Sequence, residues 1–259
     1  MVSPVAALRF RWALVARVHG SPAVWVAQRS GVTLMRLDQR FLHLVLHAGS
    51  ADGGVHGWTY GDQITAREVH RVVAAFNGGF KLTYTNVGFM SGGQVAIALR
   101  RSLASIVTYA SGRSDIGAWR RGVPAGRGRV YSVLQNQFLL VNHGRAAANL
   151  ASCVLVCWGY TIQSLVSVAR SSLGITADGQ LIWAAGEALS PAQLAHAQLQ
   201  AGARRAIELD VNPAWVAGYL YVHQAGGPVA VGVVPGQRGI AGRLLAPYSR
   251  DFLTVVANS

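Results

Sequence analysis

Two carboxylates stand two residues apart in Ala206-Ile207-Glu208-Leu209-Asp210-Val211. On an extended strand, alternation puts Ile207, Leu209 and Val211 on one face and both acids on the other. Acids on so apolar a strand need water, an arginine or a functional cleft beside them. A solvated edge and a cleft face both fit, and Asn212-Pro213 ends the strand at once, turning its tip toward a loop. A second candidate is the segment 74–81, AAFNGGFK. Asn77-Gly78-Gly79 reads as a tight reversal whose backbone N–H groups would suit an anion, although an ordinary hairpin turn uses the same residues.

The chain has ten acidic residues, few enough to take singly. Asp38, Asp52, Asp115 and Asp178 sit in turn-like contexts, and Asp62 follows a glycine before a helix start. Glu68 completes the capping box Thr65-x-x-Glu68, Glu187 lies near a helix start, and Asp251 near the tail. His43 and His47 share a strand face, yet no third ligand follows at metal-binding spacing. No cofactor is expected, and a divalent cation has no ligand motif to support it. The glycine-rich stretches 126–129 and 236–242 fit no nucleotide fingerprint.

The elements that must position these residues follow from local pattern. Strands are expected at 24–28, 32–37 and 41–47, the last with Leu42, Leu44 and Leu46 on one face. The capping box predicts a short helix through Val69, Val72 and Val73 into the Asn-Gly-Gly turn. Further strands are expected at 95–99, 105–109 and 116–120, with a mixed apolar run at 130–141. A hairpin spans 174–183 around Asp178-Gly179, and Ser190-Pro191 opens a helix at 191–201 closed by Gly202. A strand at 206–211 follows, and the tail adds strands at 220–224, 229–234 and 253–256. With no repeat and no dividing linker, these elements predict one α+β domain, residues 21–259, with a mixed and antiparallel sheet-rich core and a few short helices. Residues 1–20 read as a peripheral lead-in.

Composition narrows the partners. Half the chain is hydrophobic (51%) and only 13% is charged, so a packed core forms. Net charge is +13, almost all from arginine, because Lys81 is the only lysine. Guanidinium favours phosphate and carboxylate, so an anionic partner such as nucleic acid or a phosphate-bearing glycan fits, as does biased base composition with no partner at all. No module interleaving basic and aromatic residues is present, which argues against nucleic acid. No apolar run is long enough to span a bilayer, and Arg9, Arg11 and Arg17 interrupt the start as a signal peptide. Cys153 and Cys157, if on a strand, would lie roughly 13 Å apart, so two free buried thiols are expected.

Taken in order, Asn77-Gly78-Gly79-Phe80, then Arg170-Ser171-Ser172-Leu173-Gly174-Ile175-Thr176, the helix at 191–201, and Leu209-Asp210 resemble the phosphodiester glycosidase family. The resemblance runs from about residue 24 to the C-terminus. It implies a hydrolase that removes a sugar from an α-glycosyl phosphodiester, outside the cytoplasm, on a phosphate-bearing glycan. It also implies roles. Asp210 stabilises the oxocarbenium-like state or acts as base, with Glu208 a second carboxylate, and Arg170 clamps the phosphate. Asn77 and the amides of Gly78 and Gly79 orient the substrate, with Ser171, Asn212 and His47 as neighbours. Where such proteins continue after Leu-Asp with a glycine-rich run, this chain has Val211-Asn212-Pro213-Ala214-Trp215, similar to an actinobacterial-type branch. Loss of those glycines makes an inactive domain that grips anionic envelope glycan the alternative.

Overall fold

A computed structural model describes residues 10–51, 57–85 and 87–259. Asp52 and the first nine residues of the lead-in lie outside them. In chain order the strands begin with β1 (Ala13–Val18), β2 (Ser21–Arg29), β3 (Val32–Leu37), β4 (Leu42–His47) and β5 (Val72–Asn77). After the short helix α1 (Leu82–Thr85) come β6 (Phe89–Ser91), β7 (Gln94–Ile97), β8 (Ala104–Tyr109), β9 (Ser114–Ala118) and β10 (Val130–Asn136). Next are β11 (Leu139–Asn142), β12 (Arg145–Ala146), helix α2 (Val154–Trp158), β13 (Val168–Thr176), β14 (Leu181–Leu189) and helix α3 (Pro191–Gln200). The chain closes with β15 (Ala203–Glu208), β16 (Gly218–Gln224), β17 (Gly227–Gly232) and β18 (Phe252–Ala257).

These strands make three sheets, ordered β1-β2-β3-β14-β13-β15-β11-β12, β7-β6-β10-β8-β9 and β17-β16-β5-β18-β4. Every ladder between them is antiparallel. The expectation of an α+β domain with a mixed sheet is therefore overturned: the fold is antiparallel β. The cause is connection length. Turns such as Ser30-Gly31 and Asp178-Gly179 join neighbouring strands directly, whereas a parallel pair needs a long crossover. The helix expected after Thr65 is also absent. Glu68 accepts from the Thr65 N–H and hydroxyl as a capping acid would, but only a turn forms. The β-branched start of the next run, buried Val72 and half-buried Val73, goes into β5 instead.

The largest apolar cluster draws on all three sheets, with Leu173 and Trp183 from the first, Ile106 and Leu134 from the second, and Phe76 and Val255 from the third. Phe76 stacks on Trp183 with ring centroids 5.6 Å apart. Helix α3 covers the other face of the eight-stranded sheet, packing Leu194, Ala195 and Ala197 with Ile182, Ala184 and Ala206. It starts as expected, with Ser190 as N-cap in a complete capping box with Gln193. Among the described residues no helix is long and apolar enough to cross a membrane.

Cys153 and Cys157 form a disulfide, so the expectation of free thiols fails. The separation of roughly 13 Å assumed a strand. In the helical turn of α2 the two Cα atoms are 5.4 Å apart, within bridging distance.

Candidate active site

Alternation along β13 and β15 decides which side chains can meet. Leu173 and Ile207 face the main core, so Arg170 and Glu208 point to the opposite side of the sheet. There Arg170, fully buried, donates from Nη1 to Glu208 Oε1 at 2.7 Å and to the Trp158 carbonyl at 2.8 Å. Its Nε donates to the Leu189 carbonyl at 2.9 Å, and its Nη2 to the Val166 carbonyl at 3.4 Å. Burial pushes the Glu208 carboxyl up to about 7, against the pull of Arg170, and its Oε2 has no partner among the described residues. This pair lies beneath the loop from Trp158 to Val166. The guanidinium that the sequence offered as a phosphate clamp instead grips the protein's own carbonyls.

Asp210 follows the end of β15 and enters a different environment. Asn136 Nδ2 donates to the carbonyls of Glu208 and Leu209 at 2.7 and 3.0 Å, fixing the strand tip. Ser171 N–H donates to the Asp210 carbonyl at 3.0 Å. Its carboxylate is held by backbone amides and a guanidinium. Val211 N–H and Asn212 N–H donate to Oδ1 at 2.7 and 3.1 Å, and Arg250 Nη2 donates to Oδ2 at 2.9 Å. Arg250, just before β18, also donates to the Gly79 carbonyl at 2.9 Å and lies 5.5 Å from the Trp215 ring. Around this pair opens a cleft of about 830 Å³, lined also by Phe80, Lys81, Tyr160 and Asn212.

Asn77 is buried behind the cleft, its Nδ2 donating to Ser171 Oγ at 2.8 Å. The amides expected to face a ligand are occupied. Gly78 N–H donates to the Asp251 carbonyl at 3.0 Å, and Gly79 N–H to Asp251 Oδ2 at 2.8 Å. Neither glycine has the left-handed φ of a tight reversal. Gly78 is required by proximity instead, since a Cβ there would overlap the Asp251 carboxylate.

His47 is fully buried, stacked on Phe252 with centroids 4.2 Å apart, and its Nε2 donates to Glu68 Oε1 at 3.0 Å. Burial alone would raise the Glu68 carboxyl, but the hydrogen bond and electrostatic attraction of His47, with hydrogen bonds from Thr65 and Thr254, outweigh it and hold it at about 2. His43, on the same strand face, bonds Asn258 Oδ1 through Nδ1 at 2.8 Å. Among the described residues no three His, Cys, Asp or Glu side chains converge as a metal site.

The structure thus brings Asp210 and Asn212 into the cleft, sets Asn77, Ser171, Gly78 and Gly79 directly behind it, and keeps Arg170, Glu208 and His47 in the interior. Arg250 and Trp215 were missed. Arg250-Asp251 immediately before an apolar strand was the available signal for the first, and Trp215 within the departure Val-Asn-Pro-Ala-Trp for the second.

No protein-family model matches the chain, and a sequence comparison with curated proteins finds no match. Similarity appears in three dimensions. The catalytic domain of zebrafish N-acetylglucosamine-1-phosphodiester alpha-N-acetylglucosaminidase, solved auto-inhibited by its pro-peptide, superposes with a TM-score of 0.55 at 13% identity, over 99% of this chain and 91% of that one. A hypothetical protein from Synechocystis gives a TM-score of 0.52 at 14% identity, over 98% of this chain and 64% of that one. At such identities the likeness is one of fold.

Proposed function

We propose that the chain hydrolyses a glycosyl phosphodiester, releasing the sugar from an α-linked phosphate. The reading is carried by the Asp210–Arg250 pair, 2.9 Å apart in a cleft wide enough for a sugar, on a fold like that of the zebrafish phosphodiester glycosidase. The substrate phosphate lies against Arg250, with Lys81 adding positive charge to the cleft. As the bond between the anomeric carbon and the phosphate oxygen breaks, its electron pair leaves with the phosphate monoester. Positive charge grows on the ring, and Asp210 stabilises it. Water then adds to the anomeric carbon and loses its proton to solvent. A phosphate monoester leaves readily, so no strong acid is required beside it. The Asp210 carboxylate is held by two amides and a guanidinium, so its position is set before substrate arrives.

Asp210→Asn tests this. Release of sugar from an α-glycosyl phosphate diester is expected to fall by roughly a thousandfold while the fold persists. Turnover equal to that of the parent would overturn the reading.

A second reading has its own support, because the Gly78 and Gly79 amides are occupied by Asp251 and the glycine-rich run is replaced by Val211-Asn212-Pro213. In that case the domain holds anionic envelope glycan without cleaving it. Binding that weakens steeply with salt, in the absence of turnover, would favour it. Both readings put the chain outside the cytoplasm, and the Cys153–Cys157 disulfide supports an oxidising compartment.

A further inference from the structure

The wall of the cleft formed by α2 and the loop after it carries apolar side chains into solvent. Val156, Tyr160, Leu165 and Val166 are 64, 77, 51 and 48% exposed. They share a short stretch of chain that is firmly held. The disulfide closes α2, Arg170 takes the carbonyls of Trp158 and Val166 at either end, and Thr161 Oγ1 donates to the Leu165 carbonyl at 2.6 Å. Within the loop, Gln163 and Ser164 have φ of 58° and 57°, a costly conformation for two successive residues that are not glycine. A segment fixed this firmly presents apolar groups to water for a reason outside its own packing.

The patch is continuous with the candidate active site. Tyr160, Val211 and Asn212 line both the main cleft and a second cavity of about 300 Å³. That cavity is walled by Leu165, Val168, Ala169 and Pro213, with Arg238 and Glu187 also lining it. An apolar chain leaving the phosphate at Arg250 would pass over Tyr160 into this chamber.

We propose that the Val156–Val166 lip seats the cleft on an anionic lipid surface, so that the substrate is a lipid-borne glycosyl phosphodiester whose apolar aglycone lies along Tyr160 and Leu165. The substrate class rests on the hydrolase reading above; the docking does not. The net charge of +13 suits an anionic bilayer, and Lys81 and Arg238 lie in the two cavities behind the lip. Four side chains are too few for a stable protein interface, which buries about 800 Å² on each partner, but they suffice for shallow insertion between lipid headgroups.

The test is co-sedimentation of the full chain with vesicles of phosphatidylcholine and phosphatidylglycerol. The parent is expected to pellet, less so with phosphatidylcholine alone or at high salt. V156S/V166S changes two exposed residues that line neither cavity, and it is expected to weaken vesicle binding about tenfold. It should leave hydrolysis of a water-soluble glycosyl phosphodiester unchanged and lower that of a vesicle-borne one. The control V222S/V229S alters an exposed apolar pair on the β16–β17 hairpin and should pellet like the parent. A parent that stays in solution, V156S/V166S pelleting normally, or equal loss in the control would each overturn the docking. A concentration-dependent dimer in analytical ultracentrifugation, lost in V156S/V166S, would overturn it too, in favour of a second copy of the chain. If vesicle binding follows expectation while neither substrate is cleaved, the docking stands and the hydrolase reading falls.

Discussion

Replacing Glu208 with Gln isolates the energetic effect of one buried proton. In the folded chain the carboxyl titrates at about 7, against 4.5 for a free glutamate, because burial disfavours its charge more than Arg170 restores it. The folded state therefore binds the proton more tightly than the unfolded one, and stability must fall as that proton is lost. The contribution is complete below pH 4.5 and disappears as the pH rises through 7. At about 1.4 kcal/mol per pH unit the whole effect is roughly 3 kcal/mol, most of it between pH 5 and pH 8. For a chain of this size that corresponds to a fall of about 5–10 °C in Tm. Glu208→Gln keeps the shape and an acceptor for Arg170 but has no proton to lose. Its stability should match that of the parent near pH 5 and lack this decline toward pH 8. Urea unfolding of both proteins at half-unit pH intervals measures the difference, in which all other titrations cancel. Parallel curves across that range would refute the reasoning.

The opposite sign is expected at Glu68. Its folded value of about 2 means that its contribution is full above pH 4.5 and lost as the pH falls through 2. Glu68→Gln should therefore cost about 3 kcal/mol at pH 7 by urea unfolding, with the gap to the parent closing toward pH 2. The adjacent glycines should behave unequally. Gly78→Ala drives a methyl into the Asp251 carboxylate and should destabilise by about 3 kcal/mol. Gly79→Ala meets Leu134 Cδ1 at an ordinary 3.4 Å and should cost under about 1 kcal/mol, both read as shifts in Tm.

What was legible in the sequence was local. The hairpin at Asp178-Gly179 and the helix opened by Ser190-Pro191 depend on a few adjacent residues, and both form where expected. Alternation along β4 also holds, with Leu42, Leu44 and Leu46 in the core. Errors arose where a local signal met a tertiary demand. The capping acid Glu68 was read as belonging to a helix, yet its main partners include His47 and Thr254, 21 and 186 residues away. The period of β15 placed Glu208 and Asp210 together, but the strand ends at Glu208, so one acid is sealed with Arg170 and the other faces the cleft. The pairing of Arg250 with Asp210 has no sequence signal, because the two are 40 residues apart and no spacing rule joins them. Arg170 stood out through the Arg-Ser-Ser-Leu-Gly resemblance, which does not reveal which side of a sheet a guanidinium will occupy.

The grip of Arg170 on Trp158 and Val166 is made entirely through main-chain oxygens. Such an anchor is blind to the identity of the amino acids it restrains. Exposed positions such as 160 and 165 can then change over generations without loosening the attachment, while Glu208 keeps the anchoring cation in place. Divergence in what is recognised is thereby separated from the integrity of the β framework, and descendants can acquire new preferences by rewriting a few letters between two fixed posts.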